Sequence, residues 1–115
     1  YTEHGGYHAI QRLLSQNPRA VFAFSDVMAV GAIRAVRDAG LRVPEDVAFI
    51  GFDDLPMDSI QSYQLTTIRQ PVIQFGMKAV EMLIDLVQNG EKPARRLIMG
   101  TELIIRSTCG ASLKK

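Results

Sequence analysis

The stretch AVFAFSDVMAVGAIRAVRDAGLRVPEDVAFIGFDD, Ala20–Asp54, decides the fold. Ala20-Val21-Phe22-Ala23-Phe24 is an unbroken apolar run and not an alternating one, the pattern of a parallel-sheet strand covered on both faces. Ser25-Asp26 follows at once and offers side-chain oxygens to the free N–H groups that begin a helix. From there to Ala39 the only clearly polar side chains are Arg34, Arg37 and Asp38, so most of that helix's circumference should be buried. Gly40 suits a left-handed cap, Leu41 to Pro44 turns the chain back, and Val47-Ala48-Phe49-Ile50-Gly51 reads as a second covered strand. Strand, helix and strand then form one unit with a right-handed crossover, the signature of a Rossmann-like α/β fold: a parallel sheet with flanking helices.

Upstream, Tyr7, Ile10, Leu13 and Leu14 recur at helical spacing between Glu3 and about Gln16, and Pro18 stops the run. Downstream, Phe52 to Pro56 is a loop, Met57 to Tyr63 a short helix, and Leu65-Thr66-Thr67-Ile68 a strand. Pro71 suits the first turn of a long helix with a polar stripe of Gln74, Lys78, Glu81, Asp85 and Gln88. Val72, Ala79, Val80, Leu83 and Val87 lie opposite, and Asn89-Gly90 ends it. Leu97-Ile98-Met99 and Leu103-Ile104-Ile105 look like strands on either side of Gly100, and the polar segment from Ser107 to Lys115 reads as a frayed tail. The apolar face of the long helix predicts that this chain self-associates, by exchange of that helix between copies.

Thirteen Lys and Arg against 12 acidic residues leave a net charge of +1, and the basic residues are scattered, so a polyanion-binding face is not expected. The two dense basic spots, Arg95-Arg96 and Lys114-Lys115, read as a solvated loop and tail. One cysteine, Cys109, excludes an internal disulfide and fits a reducing, cytoplasmic address. No apolar run approaches the roughly 18 residues of a membrane span. The sequence begins at Tyr1 without an initiator Met, and the expectation is of a fragment of a longer polypeptide.

In an open parallel sheet, ligands bind beyond the carboxyl ends of the strands. Ser25-Asp26 leaves the first strand and Asp53-Asp54 the second, so these side chains should share one rim. A carboxylate there accepts hydrogen bonds from vicinal hydroxyls, while a helix start adds backbone donors and a serine hydroxyl, the mixture that sugars and nucleosides need. The plainer alternative is that Ser25 or Asp26 only caps the helix and that Asp53 and Asp54 stabilise a turn. His4 and His8 have the spacing of two zinc ligands, but no third ligand is recognisable and they read as surface histidines. Neither histidine is placed to join Ser25 and Asp53 in a hydrolytic relay, so neither a catalytic residue nor a metal or other cofactor is expected.

Six blocks in order resemble the lac-repressor-type (LacI/GalR) family of transcription regulators. They are Ala23-Phe24-Ser25-Asp26, Ala29-Val30-Gly31-Ala32, Gly40-Leu41-Arg42-Val43-Pro44-Glu45-Asp46-Val47 and Gly51-Phe52-Asp53-Asp54, followed by Leu65-Thr66-Thr67-Ile68-Arg69-Gln70-Pro71 and Glu102-Leu103-Ile104-Ile105-Arg106-Ser107-Thr108. The resemblance implies the C-terminal portion of a two-lobed, type I periplasmic-binding-protein-like effector core. Residues 1–68 would belong to the second lobe, 71–96 to a helix and crossover of the first, 97–108 to return strands and 109–115 to a tail. It also implies that Asp53 contacts effector hydroxyls, that Ser25 lines the pocket, that Tyr1 stacks on the effector, and that Gln70 lies near it at a crossing between lobes. For Tyr1 a disordered chain end, and for Gln70 an ordinary hinge glutamine, are the alternatives. The implied partners are a small polar effector of the sugar or nucleobase class, a second copy in a homodimer, and DNA through a helix-turn-helix preceding this segment. A periplasmic sugar-binding protein of a transporter is the rival reading, and a hydrolase a more distant one.

Overall fold

The computed structural model describes residues 1–90 and 93–113, so Lys114-Lys115 lies outside the described residues. Two compact units divide the chain: one comprises Tyr1–Arg69 with the segment from Leu103 onward, the other Gln70–Glu102.

In the first unit, α1 (Glu3–Leu13) is capped by Thr2, whose hydroxyl accepts the Gly5 N–H at 2.9 Å, and a 3-10 turn follows over Leu14–Gln16. Strand β1 (Ala20–Phe22) leads to α2 (Asp26–Asp38), and β2 (Ala48–Asp53) returns beside β1 in parallel, with Val21 opposite Phe49 and Phe22 opposite Ile50. The short α3 (Asp58–Ser62) precedes β3 (Thr67–Arg69), parallel to β2, with Gly51 opposite Thr67 and Asp53 opposite Arg69. With β4 (Glu102–Ile104), the sheet runs β1-β2-β3-β4. Gly40 takes the left-handed conformation that the cap requires, at φ 79°.

The core lies between α2 and one face of this sheet. Helix α2 buries Ala29, Val30, Ala32, Ile33, Ala35 and Val36 along with Gly31, as its scarcity of polar residues predicts. Helix α1 crosses α2 so closely that a Cβ on Gly31 would stand 1.8 Å from the Glu3 carbonyl oxygen. Bulk is therefore excluded at Gly31 by the neighbouring backbone. An Arg34–Glu3 ion pair and a 2.7 Å hydrogen bond from the Tyr7 hydroxyl to Asp38 flank the crossing, and the Asp38 bond pushes the Tyr7 phenol pKa up.

Three sequence expectations need correction. The first two strands are covered on one face only among the described residues, because α1 and α3 both pack against α2. Phe22 and Phe24 consequently stay 53% and 70% exposed, and Phe22 meets Phe24 and Phe52 edge to face with centroids 6.4 Å apart. Leu97-Ile98-Met99 is irregular, with Leu97 and Ile98 exposed; a strand needs a neighbouring strand, and among the described residues none pairs with this segment.

The third correction concerns the presumed frayed tail. Thr108 is buried: its hydroxyl accepts the Thr66 N–H at 2.9 Å and donates to the Phe49 carbonyl at 2.9 Å, while its own carbonyl accepts the Phe49 N–H at 2.8 Å. The Ser107 N–H donates to the Gln64 carbonyl at 2.9 Å, so this segment is stitched between β2 and the approach to β3. Polarity signalled solvent, but these groups complete a ladder that β2 and β3 alone leave open.

The second unit is dominated by α4 (Val72–Asn89), with Pro71 just outside the helix as its N-cap. Lys78–Glu81 at 3.0 Å and Arg95–Asp85 at 2.7 Å mark its polar side, so Arg95 is ion-paired. Ile73, Val80, Leu83 and Val87 are exposed on the helix.

Candidate effector site

Parallel register brings the ends of β1, β2 and β3 to one rim, and three acidic residues there have separate duties. Ser25, not Asp26, caps α2: its Oγ accepts the Met28 N–H at 3.3 Å. Asp26, the first residue of the helix, is fully buried and reaches across the sheet. Its Oδ1 accepts the Thr67 hydroxyl at 2.5 Å and its Oδ2 accepts the Leu55 N–H at 2.9 Å. Gly51 makes room for this, since a Cβ there would come within 2.4 Å of the Asp26 Oδ1. Burial drives the Asp26 carboxyl pKa above its ordinary value, the nearby charges of Asp53 and Asp54 add to the rise, and the two hydrogen bonds oppose it.

Asp54 is held from two sides. Its Oδ1 accepts from Arg106 Nη2 at 2.8 Å and its Oδ2 from Arg69 Nε at 2.7 Å. Arg106 also donates through Nη1 to the Leu65 carbonyl at 2.9 Å, and its backbone N–H donates to the Thr66 hydroxyl at 2.9 Å. Burial by itself would raise the Asp54 carboxyl, but the two arginines outweigh it and hold the pKa below the ordinary value.

Between these anchors the backbone takes an unusual path. Asp53 has φ 115° and Asp54 φ 55°, two consecutive non-glycine residues in the left-handed region. Each such residue costs on the order of 1–3 kcal/mol and persists only where its surroundings over-determine it, a condition typical of ligand clamps. Here the Asp26 bond to Leu55 and the two Asp54 ion pairs supply that determination.

Of the four residues singled out from sequence, Ser25 and Asp53 therefore share the carboxyl rim of adjacent parallel strands. Ser25 is nearly buried with its hydroxyl engaged as the cap, and Asp53 is partly buried. Tyr1 precedes α1 in the same unit and is 88% exposed. Gln70 is the first residue of the second unit. The plainer alternative for the rim holds in part: Ser25 does cap α2, and Asp54 does fix the turn. Sequence reasoning missed Arg69, Arg106, Thr67 and Thr108, although each lies within a quoted block; that many polar residues in short strands flanked by apolar ones signal internal bonding. His8 Nδ1 lies 3.0 Å from Gln11 Oε1 and both histidines are exposed, and among the described residues no group of three potential ligands could hold a metal ion.

The parallel sheet with its flanking helices is a Rossmann-like α/β architecture, and a family model for a periplasmic binding protein-like domain matches residues 1–109. The transcriptional regulator MalR of Streptomyces coelicolor is 38% identical over 97% of this chain and 33% of its own length. The transcriptional repressor CytR of Escherichia coli K12 is 41% identical over 96% of this chain and 33% of its own. A crystal structure of a LacI family transcriptional regulator from Enterococcus faecium with bound ribose superposes with a TM-score of 0.80 at 31% identity, covering 94% of this chain and 40% of that one. The chain belongs to the periplasmic binding protein-like family in the form found in LacI-family transcriptional regulators. It spans about a third of the length of these curated relatives, which are transcriptional regulators.

Proposed function

We propose that this chain is the C-terminal part of the effector-sensing core of a transcription regulator. It binds a small polar metabolite of the sugar or nucleobase class in a cleft between two lobes and thereby alters operator affinity. The observation that carries the reading is the rim itself: Asp53, on strained backbone braced from both sides, stands at the end of the strand adjacent to the one that delivers Ser25. Strained backbone held by its surroundings at the carboxyl end of a parallel strand supports presentation of the Asp53 carboxylate to a ligand beyond that end. The Enterococcus faecium relative with bound ribose makes a sugar the first candidate.

In this reading Asp53 accepts hydrogen bonds from effector hydroxyls, Ser25 lines the pocket beside the α2 start, Tyr1 covers a flat face of the ligand, and Gln70 adds a polar contact at the crossing between lobes. The regulator acts as a homodimer in the cytoplasm and touches DNA through a helix-turn-helix outside this segment. Effector binding works through its differential affinity for two lobe orientations. No helix among the described residues is long and apolar enough to cross a membrane.

The test is a calorimetric titration of the full-length regulator with ribose, glucose, adenine and adenosine, repeated for Asp53→Asn. Loss of two charge-assisted hydrogen bonds should weaken binding by about 2 kcal/mol or more, upwards of thirtyfold. Equal affinity in the two proteins, or no heat with any of the four, would overturn the assignment of Asp53 and of the ligand class respectively.

A further inference from the structure

The two arginines on Asp54 are not interchangeable surface partners. Arg69 is the last residue before the chain leaves the first unit, and Arg106 follows closely on Leu103, where the chain re-enters it. One carboxylate, with a side chain only 9% exposed, thus bonds at 2.7 and 2.8 Å to both segments by which the backbone passes between units. The same residue is the immediate neighbour of Asp53 and shares its left-handed backbone. Arg106 carries the link further, through its bonds to the Leu65 carbonyl and the Thr66 hydroxyl at the approach to β3.

We propose that Asp54 is the positioning residue of the site: its double arginine clamp makes the loop presenting Asp53 and the two crossing segments a single mechanical element, so that ligand contact at one is felt at the other. The clamp itself is independent of which ligand binds, whereas its service to sensing rests on the function proposed above. Two discrete arrangements of a packed, hydrogen-bonded element are what coupling between a site and a hinge needs, and a bidentate anchor spanning both crossings provides the shared part. Asp53 supplies the contact and Asp54 fixes where that contact is offered.

Hydrogen exchange read by mass spectrometry tests this on the full chain without any ligand, comparing the wild type with Asp54→Asn, Asp54→Glu and Arg106→Gln. In Asp54→Asn, amides of residues 53–55, 67–69 and 103–106 should all exchange at least about tenfold faster, while those of the α1–α2 crossing keep their wild-type protection. Asp54→Glu, which preserves the charge, should recover part of the protection in all three segments. Acceleration confined to 53–55, or none, would overturn the clamp. Uniform acceleration that includes α2 would show a merely structural role, and if Asp54→Asn does not fold, Arg106→Gln and Asp54→Glu decide by the same criterion.

A second arm uses ribose with the full-length regulator. Ribose should slow exchange at 53–55 and 103–106 together in the wild type, and at 53–55 alone in Asp54→Asn. Simultaneous slowing in the variant would overturn the coupling. Failure of ribose to bind the wild type would count against the proposed sugar ligand and leave the first arm to judge the clamp.

Discussion

Asp26 and Asp54 stand at the same rim with carboxyl pKa values displaced in opposite directions, which makes their contributions to stability separable by pH. Asp26 has its folded pKa above the ordinary value of 3.8, so the folded chain holds that proton more tightly than the unfolded chain does. Its contribution is therefore most favourable below 3.8 and declines as pH rises from there through the raised folded value. Asp54 has its folded pKa below 3.8; its contribution is present above 3.8 and is lost as pH falls through the lowered value. Replacing Asp26 with Asn, which can still accept from the Leu55 N–H and donate to Thr67, should remove the decline above 3.8 while leaving the acid-side loss in place. Urea unfolding midpoints across the acidic range, for both proteins, check this; an unchanged slope above 3.8 in the variant would show that Asp26 is not its source. The same pair marks a limit of sequence reading. Ser25-Asp26 announces a helix start, but which of the two caps and which reaches Thr67, 41 residues away, depends on partners that only the folded sheet assembles.

The strand, helix and strand of Ala20–Asp54 were legible because local periodicity and capping residues agree with the tertiary outcome: helix α2 buries the residues its composition nominates, and Gly40 adopts the left-handed conformation. Gly31 adds a constraint of a different kind. Its backbone lies against that of Glu3, so Gly31→Ala must force α1 away from α2 by the width of a methyl group. A loss of roughly 2 kcal/mol is expected, and a chain of this size should then lose several degrees in Tm by calorimetry; an unshifted Tm would mean that α1 adjusts freely. What eluded the sequence were elements defined by neighbours. Phe22 and Phe24 fit a doubly covered strand in composition, yet coverage is a property of where α1 and α3 pack. Leu97-Ile98-Met99 has strand composition without a strand to bond to. The site was half legible for the same reason: Ser25 and Asp53 follow from the rule for parallel sheets, while the clamp on Asp54 depends on Arg106, 52 residues distant.

For the molecule as a whole, α4 is the conspicuous exposed surface, with Ile73, Val80, Leu83 and Val87 all open to solvent. Size-exclusion chromatography of this 115-residue chain should show concentration-dependent association, and the double substitution Val80→Lys with Leu83→Lys should shift it toward monomer. A single monomeric peak at every concentration would contradict this. Thr108, finally, has an implication for biosynthesis. Its hydroxyl joins Thr66 and Phe49 across separations of 42 and 59 residues, so the sheet's hydrogen-bond ladder closes only after Thr108 has left the ribosome, well after β2 and the approach to β3. Until then the Phe49 amide lacks its carbonyl partner and β2 offers an open seam to other nascent chains, which makes the interval between synthesis of β2 and arrival of Thr108 a period of exposure to misassembly.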